Sequence, residues 1–289
     1  MSAAQKTKAS DKQGVSKKLV KILKQRYKKP ADEDRPILET MLYAVCLENA
    51  PAEEAEAAYA GLYSNFHDLN EVRVSSISEL AAVFNTVPEG ERRALGVRSV
   101  LRYVFEKNYQ FDFENLRKKT LEQATKQLQR IKDVSPFVRT YILQSGLGCH
   151  VVPVDESMRR AAVWLGLVEP NLTPEEASEA LKAAIRKADA PQFCQLLRCL
   201  ATDPALRDAF RPKASAPEIG YDLQSAPARL TELIASGPPK RKGSKKTSDR
   251  KPSRSTKALA SRSAAGKTAS RKKTASTRAA TSAKPKKKK

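Results

Sequence analysis

The stretch 128–167, "LQRIKDVSPFVRTYILQSGLGCHVVPVDESMRRAAVWLGL", decides how this chain is read. It runs from the end of one apolar-periodic segment through a tight "KDVSP" to a second such segment ending at Gly146 or Gly148. A short apolar link, Val151–Val154, leads into Asp155 and Glu156, and a third periodic segment follows. The pattern predicts helix, hairpin, helix, link, acid, helix. Asp155 reads in two ways. Aspartate is a favoured helix N-cap, and Glu156 adds a second charge that suits the helix dipole. The same position also suits a carboxylate held at a helix start to do chemistry.

The flanking sequence is helical as well. "RPILETMLYAVCLENA" places Ile37, Leu38, Met41, Leu42, Val45 and Cys46 at three-and-four spacing. "PAEEAEAAYAGLY" opens with Pro51 and acids, and "SSISELAAVF" carries a Ser76–Glu79 capping box. "GERRALGVRSVLRYVFEKN", "TPEEASEALKAAIRKA" and "APQFCQLLRCLA" are further helices, and strand signals are nearly absent. The expected fold class is all-α with short connections and no internal repeat.

Charge divides the chain. The 289 residues carry a net charge of +22. Residues 237–289 hold 20 Lys/Arg against Asp249, and residues 1–29 hold 10 against Asp11, so residues 30–236 are left near −6. This predicts a basic, partly helical N-terminal arm over 1–29 and a helical domain over 30–212. A linker with one short helix around Ala228–Ala235 is expected over 213–239, then a disordered Lys/Arg/Ala/Ser-rich tail over 240–289. The tail has one large apolar side chain, Leu259, too little to offset its ordering entropy. Its "SRSAAGKTASRKKTAS" and "SAKPKKKK" resemble linker-histone tails. A polycation of this kind binds nucleic acid by counterion release, without reading sequence.

No apolar run is long enough to span a bilayer, and the N-terminus has no signal-peptide core, so no membrane partner is expected. Cys46, Cys149, Cys194 and Cys199 lack metal-site spacing, which predicts reduced thiols, no metal and an intracellular protein. His67 and His150 have no ligand partner in sequence. Trp164, in "AAVWLGL", reads as core.

The segment 128–167 resembles the helix-hairpin-helix DNA glycosylases, the superfamily that includes endonuclease III, and the likeness extends over about 35–201. Phe137 precedes Asp155 by 18 positions, the interval between the second-helix lysine and the catalytic aspartate in that family. The resemblance implies a monofunctional glycosylase of base-excision repair, with Asp155 as catalytic residue. A carboxylate near the sugar stabilises the oxocarbenium-like charge that builds as the N-glycosidic bond of a flipped base breaks, and it can orient water. The hairpin, through Lys132, Val134, Ser135 and Arg139, would grip one phosphate, largely by backbone N–H groups. Asn49 falls where the family fills the gap left by the flipped nucleotide. Arg159 and Arg160 are candidate phosphate contacts beside the acid. In the arms, Lys240, Arg241, Lys242 and Lys286, Lys287, Lys288, Lys289 would hold the duplex.

Departures from the family pattern are plain. Asp133 and Ser135 replace both glycines of the hairpin, and Asp133 brings negative charge to the phosphate site. Phe137 in place of the lysine forbids a Schiff base, so no lyase step is expected. No four-cysteine iron–sulfur loop follows Cys199, so no cofactor is expected. The alternative is a non-catalytic DNA-binding or chromatin-architectural protein on a degenerate glycosylase fold. Either way the expected form is a DNA-associated monomer.

Overall fold

In the computed structural model, residues 9–27, 34–211 and 220–237 are described. They form helices α1 (Ala9–Arg26), α2 (Ile37–Leu47), α3 (Ala52–Ser64), α4 (Leu69–Val74), α5 (Ile77–Val83) and α6 (Gly90–Asn108). A 3₁₀ turn at Glu114–Lys118 leads to α7 (Leu121–Gln129) and α8 (Pro136–Tyr141), which continues as a π-turn over Ile142–Gly146. Then come α9 (Glu156–Trp164), α10 (Pro174–Ala184), α11 (Ala190–Thr202) and α12 (Ala226–Ser236). No strand occurs among the described residues.

Helix α2 is the hub. Every residue from Ile37 to Leu47 except Glu39 is buried, and a helix apolar all round must have neighbours all round. It packs on α3, α6 and α8. Local rules set the boundaries of the outer helices. The Ser76–Glu79 capping box starts α5, and Thr173 with Glu176 forms a second one before Pro174 of α10. Gly148, at φ 63°, ends the hairpin's second helix in the left-handed region.

The N-terminal segment, expected as an arm, contributes to packing. Val15, Leu19 and Leu23, one helical turn apart, are buried, and α1 lies against α10, α11 and α12. The short helix expected at 228–235 is α12, whose Ala226, Leu230 and Leu233 are buried. Gly166 makes this end of the molecule close. At φ 71° it lies so near the chain ahead of α12 that a Cβ would stand 2.4 Å from the Tyr221 carbonyl oxygen. Only glycine fits there. The tail, including Lys240, Arg241, Lys242 and Lys286–Lys289, lies outside the described residues.

Candidate functional site

The end of α2, the α7–α8 hairpin and the start of α9 meet at two consecutive residues, Glu48 and Asn49. Asn49 adopts φ 56°, a left-handed conformation that asparagine tolerates better than most residues. Its N–H donates to Asp155 Oδ2 at 2.9 Å. Its side-chain Oδ1 accepts from the Ser157 N–H at 2.9 Å and the Ser157 hydroxyl at 3.0 Å. Asp155 is the N-cap of α9, with Oδ1 accepting from the Met158 N–H at 2.8 Å. Both carboxylate oxygens are thus bonded to backbone amides, and the residue is only 2 % exposed. Burial raises the Asp155 pKa. The amides of Met158 and Asn49, and then the charge of Arg198, pull it back down.

The hairpin keeps its turn despite losing both glycines. Asp133 takes φ 56°, the backbone conformation for which glycine is the usual residue. Its Oδ2 accepts from the Ser99 hydroxyl at 2.9 Å. Ser135 caps α8 by accepting from the Val138 N–H at 3.2 Å. Among the described residues no acceptor takes the backbone N–H of Asp133 or Val134. Lys132 beside them is exposed. Glu48 faces this turn. Its carboxyl is raised chiefly by burial, with the charge of Arg92 opposing. The hollow between hairpin and α6, lined by Glu48, Arg92 and Ser135 among others, holds about 10 Å³. That is room for about one water.

The other expected contacts are engaged elsewhere. Arg139 turns back to donate to the Ile131 carbonyl at 3.4 Å. Arg159 and Arg160 both pair with Glu156, at 2.7 and 2.8 Å, and the bond from Arg159 is the leading cause of that carboxyl's lowered pKa. Phe137, at the lysine position, is buried against Tyr141. Trp164 packs on Phe210 and Tyr221, and His150 Nε2 bonds the Ile185 carbonyl at 2.8 Å.

Two arginines important to this region carried no signal in the sequence. Arg93 donates to the carbonyls of Pro88, Val45 and Glu48, and so ties down the C-terminus of α2 just before Asn49. Arg198, on α11, is buried. Nothing in "GERRALG" or "QLLRCL" distinguishes these cations from solvated ones.

Structural comparison decides the architecture. A structure described as a trapped endonuclease III–DNA covalent intermediate matches with TM-score 0.52 over 76 % of this chain and 98 % of that one, at 11 % identity. A thermostable thymine-DNA glycosylase matches with TM-score 0.50 over 72 % of this chain and 90 % of that one, at 13 % identity. The fold is that of the helix-hairpin-helix DNA glycosylases. At these identities the likeness is one of fold. No family model matches the sequence, and no curated protein does.

Many proteins with this glycosylase fold carry an iron–sulfur cluster, and the cysteines here do not fit one. Cys46 is buried in α2, Cys149 lies in the link, and Cys194 and Cys199 lie on α11. Among the described residues no three metal-ligating side chains gather. No described helix is long and apolar enough to cross a membrane.

Proposed function

We propose that this protein binds DNA on a glycosylase scaffold without hydrolysing the N-glycosidic bond. The hairpin amides and the basic extensions hold the duplex, and Asp155 serves as a structural cap. The observation that carries this reading is the sealing of Asp155, which is 2 % exposed with both oxygens on backbone amides. At 2 % exposure it offers almost no carboxylate surface to a deoxyribose, so standing beside one would require the packing over the α9 cap to open. DNA binding is supported by the unpaired N–H groups at Asp133 and Val134 with Lys132 beside them, and by the 20 Lys/Arg of residues 237–289. A basic extension raises the effective concentration of a weakly gripping domain on the duplex.

A second reading, a monofunctional glycosylase, draws on a different observation. Asn49 and Asp155, the candidate gap-filling residue and the candidate catalytic residue, touch directly, next to a hairpin that shares a small hollow with Glu48. The two readings separate on incubation with duplexes carrying uracil, alkylated purines, oxidised bases or mismatches. No abasic product is expected, whereas release that Asp155→Asn abolishes would establish the enzyme instead. Truncation after Gly237 is expected to flatten the salt dependence of DNA affinity; an unchanged slope removes the tail from the mechanism.

A further inference from the structure

A cavity of about 620 Å³ lies beside the site described above, between α2, α8 and α11. Its volume falls in the range of small-molecule pockets. Aromatic side chains of Tyr43, Phe137 and Tyr141 form part of its wall, and Gln192, Gln195 and Arg198 contribute from α11. Asp34 and Arg35 stand at its edge, Asp34 almost fully exposed.

Arg198 is out of place in such a wall. It is 8 % exposed, and Nη1 is buried with no acceptor. No hydrogen bond or ion pair engages its guanidinium among the described residues; the one bond at this residue goes from the Thr202 hydroxyl to the Arg198 carbonyl. Arginine is almost never buried unpaired, because it cannot shed its proton and loses hydration on burial. The buried carboxylate that feels its charge, Asp155, already has both oxygens on amides. Gln144, also on the wall, is committed to the Val151 carbonyl at 2.6 Å. Among the described residues the cation therefore lacks an anion, and the cavity has space for one.

We propose that this cavity binds a small free ligand bearing an oxyanion, phosphate or carboxylate, with the Arg198 guanidinium as its anchor and the aromatic wall facing the rest of the ligand. The guanidinium fork matches either oxyanion. A volume of about 620 Å³ leaves room for a planar group the size of a nucleobase beyond the anion.

The test uses the full chain and its Arg198→Met and Arg198→Lys variants, so that binding to the basic tail is common to all three. Thermal unfolding and titration calorimetry are run with orthophosphate, citrate, deoxyadenosine monophosphate and a short single-stranded oligonucleotide, against sodium chloride at matched ionic strength. Orthophosphate or the nucleotide, or citrate if the anion is a carboxylate, should raise the wild-type Tm by about 5–10 °C at 100 times Kd. The Arg198→Met variant should lose that rise, and Arg198→Lys should keep it with affinity weakened about 10-fold. Removing an unpaired buried cation should also raise the unliganded Tm. Equal ligand shifts in wild type and Arg198→Met would overturn the proposal, as would no shift with any small anion. An Arg198-dependent shift with the oligonucleotide alone would reassign the site to a strand phosphate. A lower unliganded Tm in Arg198→Met would mean that the guanidinium is already paired, and would end the proposal.

Discussion

Asn49 and Asp155, 106 residues apart, hold each other in place: the Asn49 N–H donates to Asp155 Oδ2, and Asn49 Oδ1 accepts from the N–H of Ser157, the second residue of α9. The start of α9 is therefore capped both by its own preceding residue and by one from the end of α2. Arg93 fixes the carbonyl of Glu48 immediately before Asn49, so the α2 terminus, the α9 terminus and α6 form one unit.

Asn49 combines a left-handed backbone with a side-chain cap, and two substitutions separate these contributions. Asn49→Ala loses the cap and strains the backbone, for an expected loss of about 2 kcal/mol. Asn49→Gly loses the cap but relaxes the backbone, and should stay within about 1 kcal/mol of wild type. Denaturant midpoints distinguish them. Equal losses would show that the φ of 56° costs nothing.

Stability should depend on pH through Asp155 in an unusual direction. Burial, the leading cause, raises its folded pKa, so the folded protein keeps this proton to higher pH than the unfolded chain does. The contribution is full below the unfolded value of about 3.9 and is lost as pH rises through the folded value. Glu48, also raised by burial, acts in the same sense. The stability difference between wild type and Asp155→Asn should therefore shrink as pH rises above about 4. A difference that grows instead would mean that the two amides outweigh burial.

Asp133 places a carboxylate on the turn that, in the proposed DNA-binding mode, would meet a phosphate. Asp133→Gly removes the charge and suits the left-handed φ, but it loses the bond from Ser99. Fold stability should change by less than about 1 kcal/mol. DNA affinity at low salt should rise about 5-fold, and the gain should fade at high salt. Fluorescence anisotropy across a salt series checks this. Unchanged affinity at low salt would place the hairpin away from the DNA.

The thiols should react in order of burial. Cys46 and Cys194 are buried, and desolvation pushes each pKa up to about 12. Cys149 and Cys199 are half-buried, and burial raises Cys199 as well. An aromatic disulfide reagent at pH 8 should modify Cys149 first and reach Cys46 and Cys194 only on unfolding, since the thiolate is the reacting species. Rapid modification of Cys194 in the folded protein would show that the cavity beside it opens widely.

Read alone, the sequence determined what depends on neighbours within one or two turns. Apolar spacing located the helices. Ser76 with Glu79 and Thr173 with Glu176 fixed two helix starts, Asp155 marked a third, and the uneven distribution of lysine and arginine set the basic ends apart. These are interactions between residues three or four apart, and their chemistry is written in order along the chain. Tertiary structure alone decided that Asp155 is sealed rather than open, that Glu48 and Ser135 line one hollow, that Arg159 and Arg160 face Glu156, that α1 packs with α10, α11 and α12, and that Arg198 Nη1 is buried with no partner among the described residues. Burial and long-range pairing follow from how whole helix faces meet, and a side chain's own neighbours in sequence carry no record of what lies across that contact.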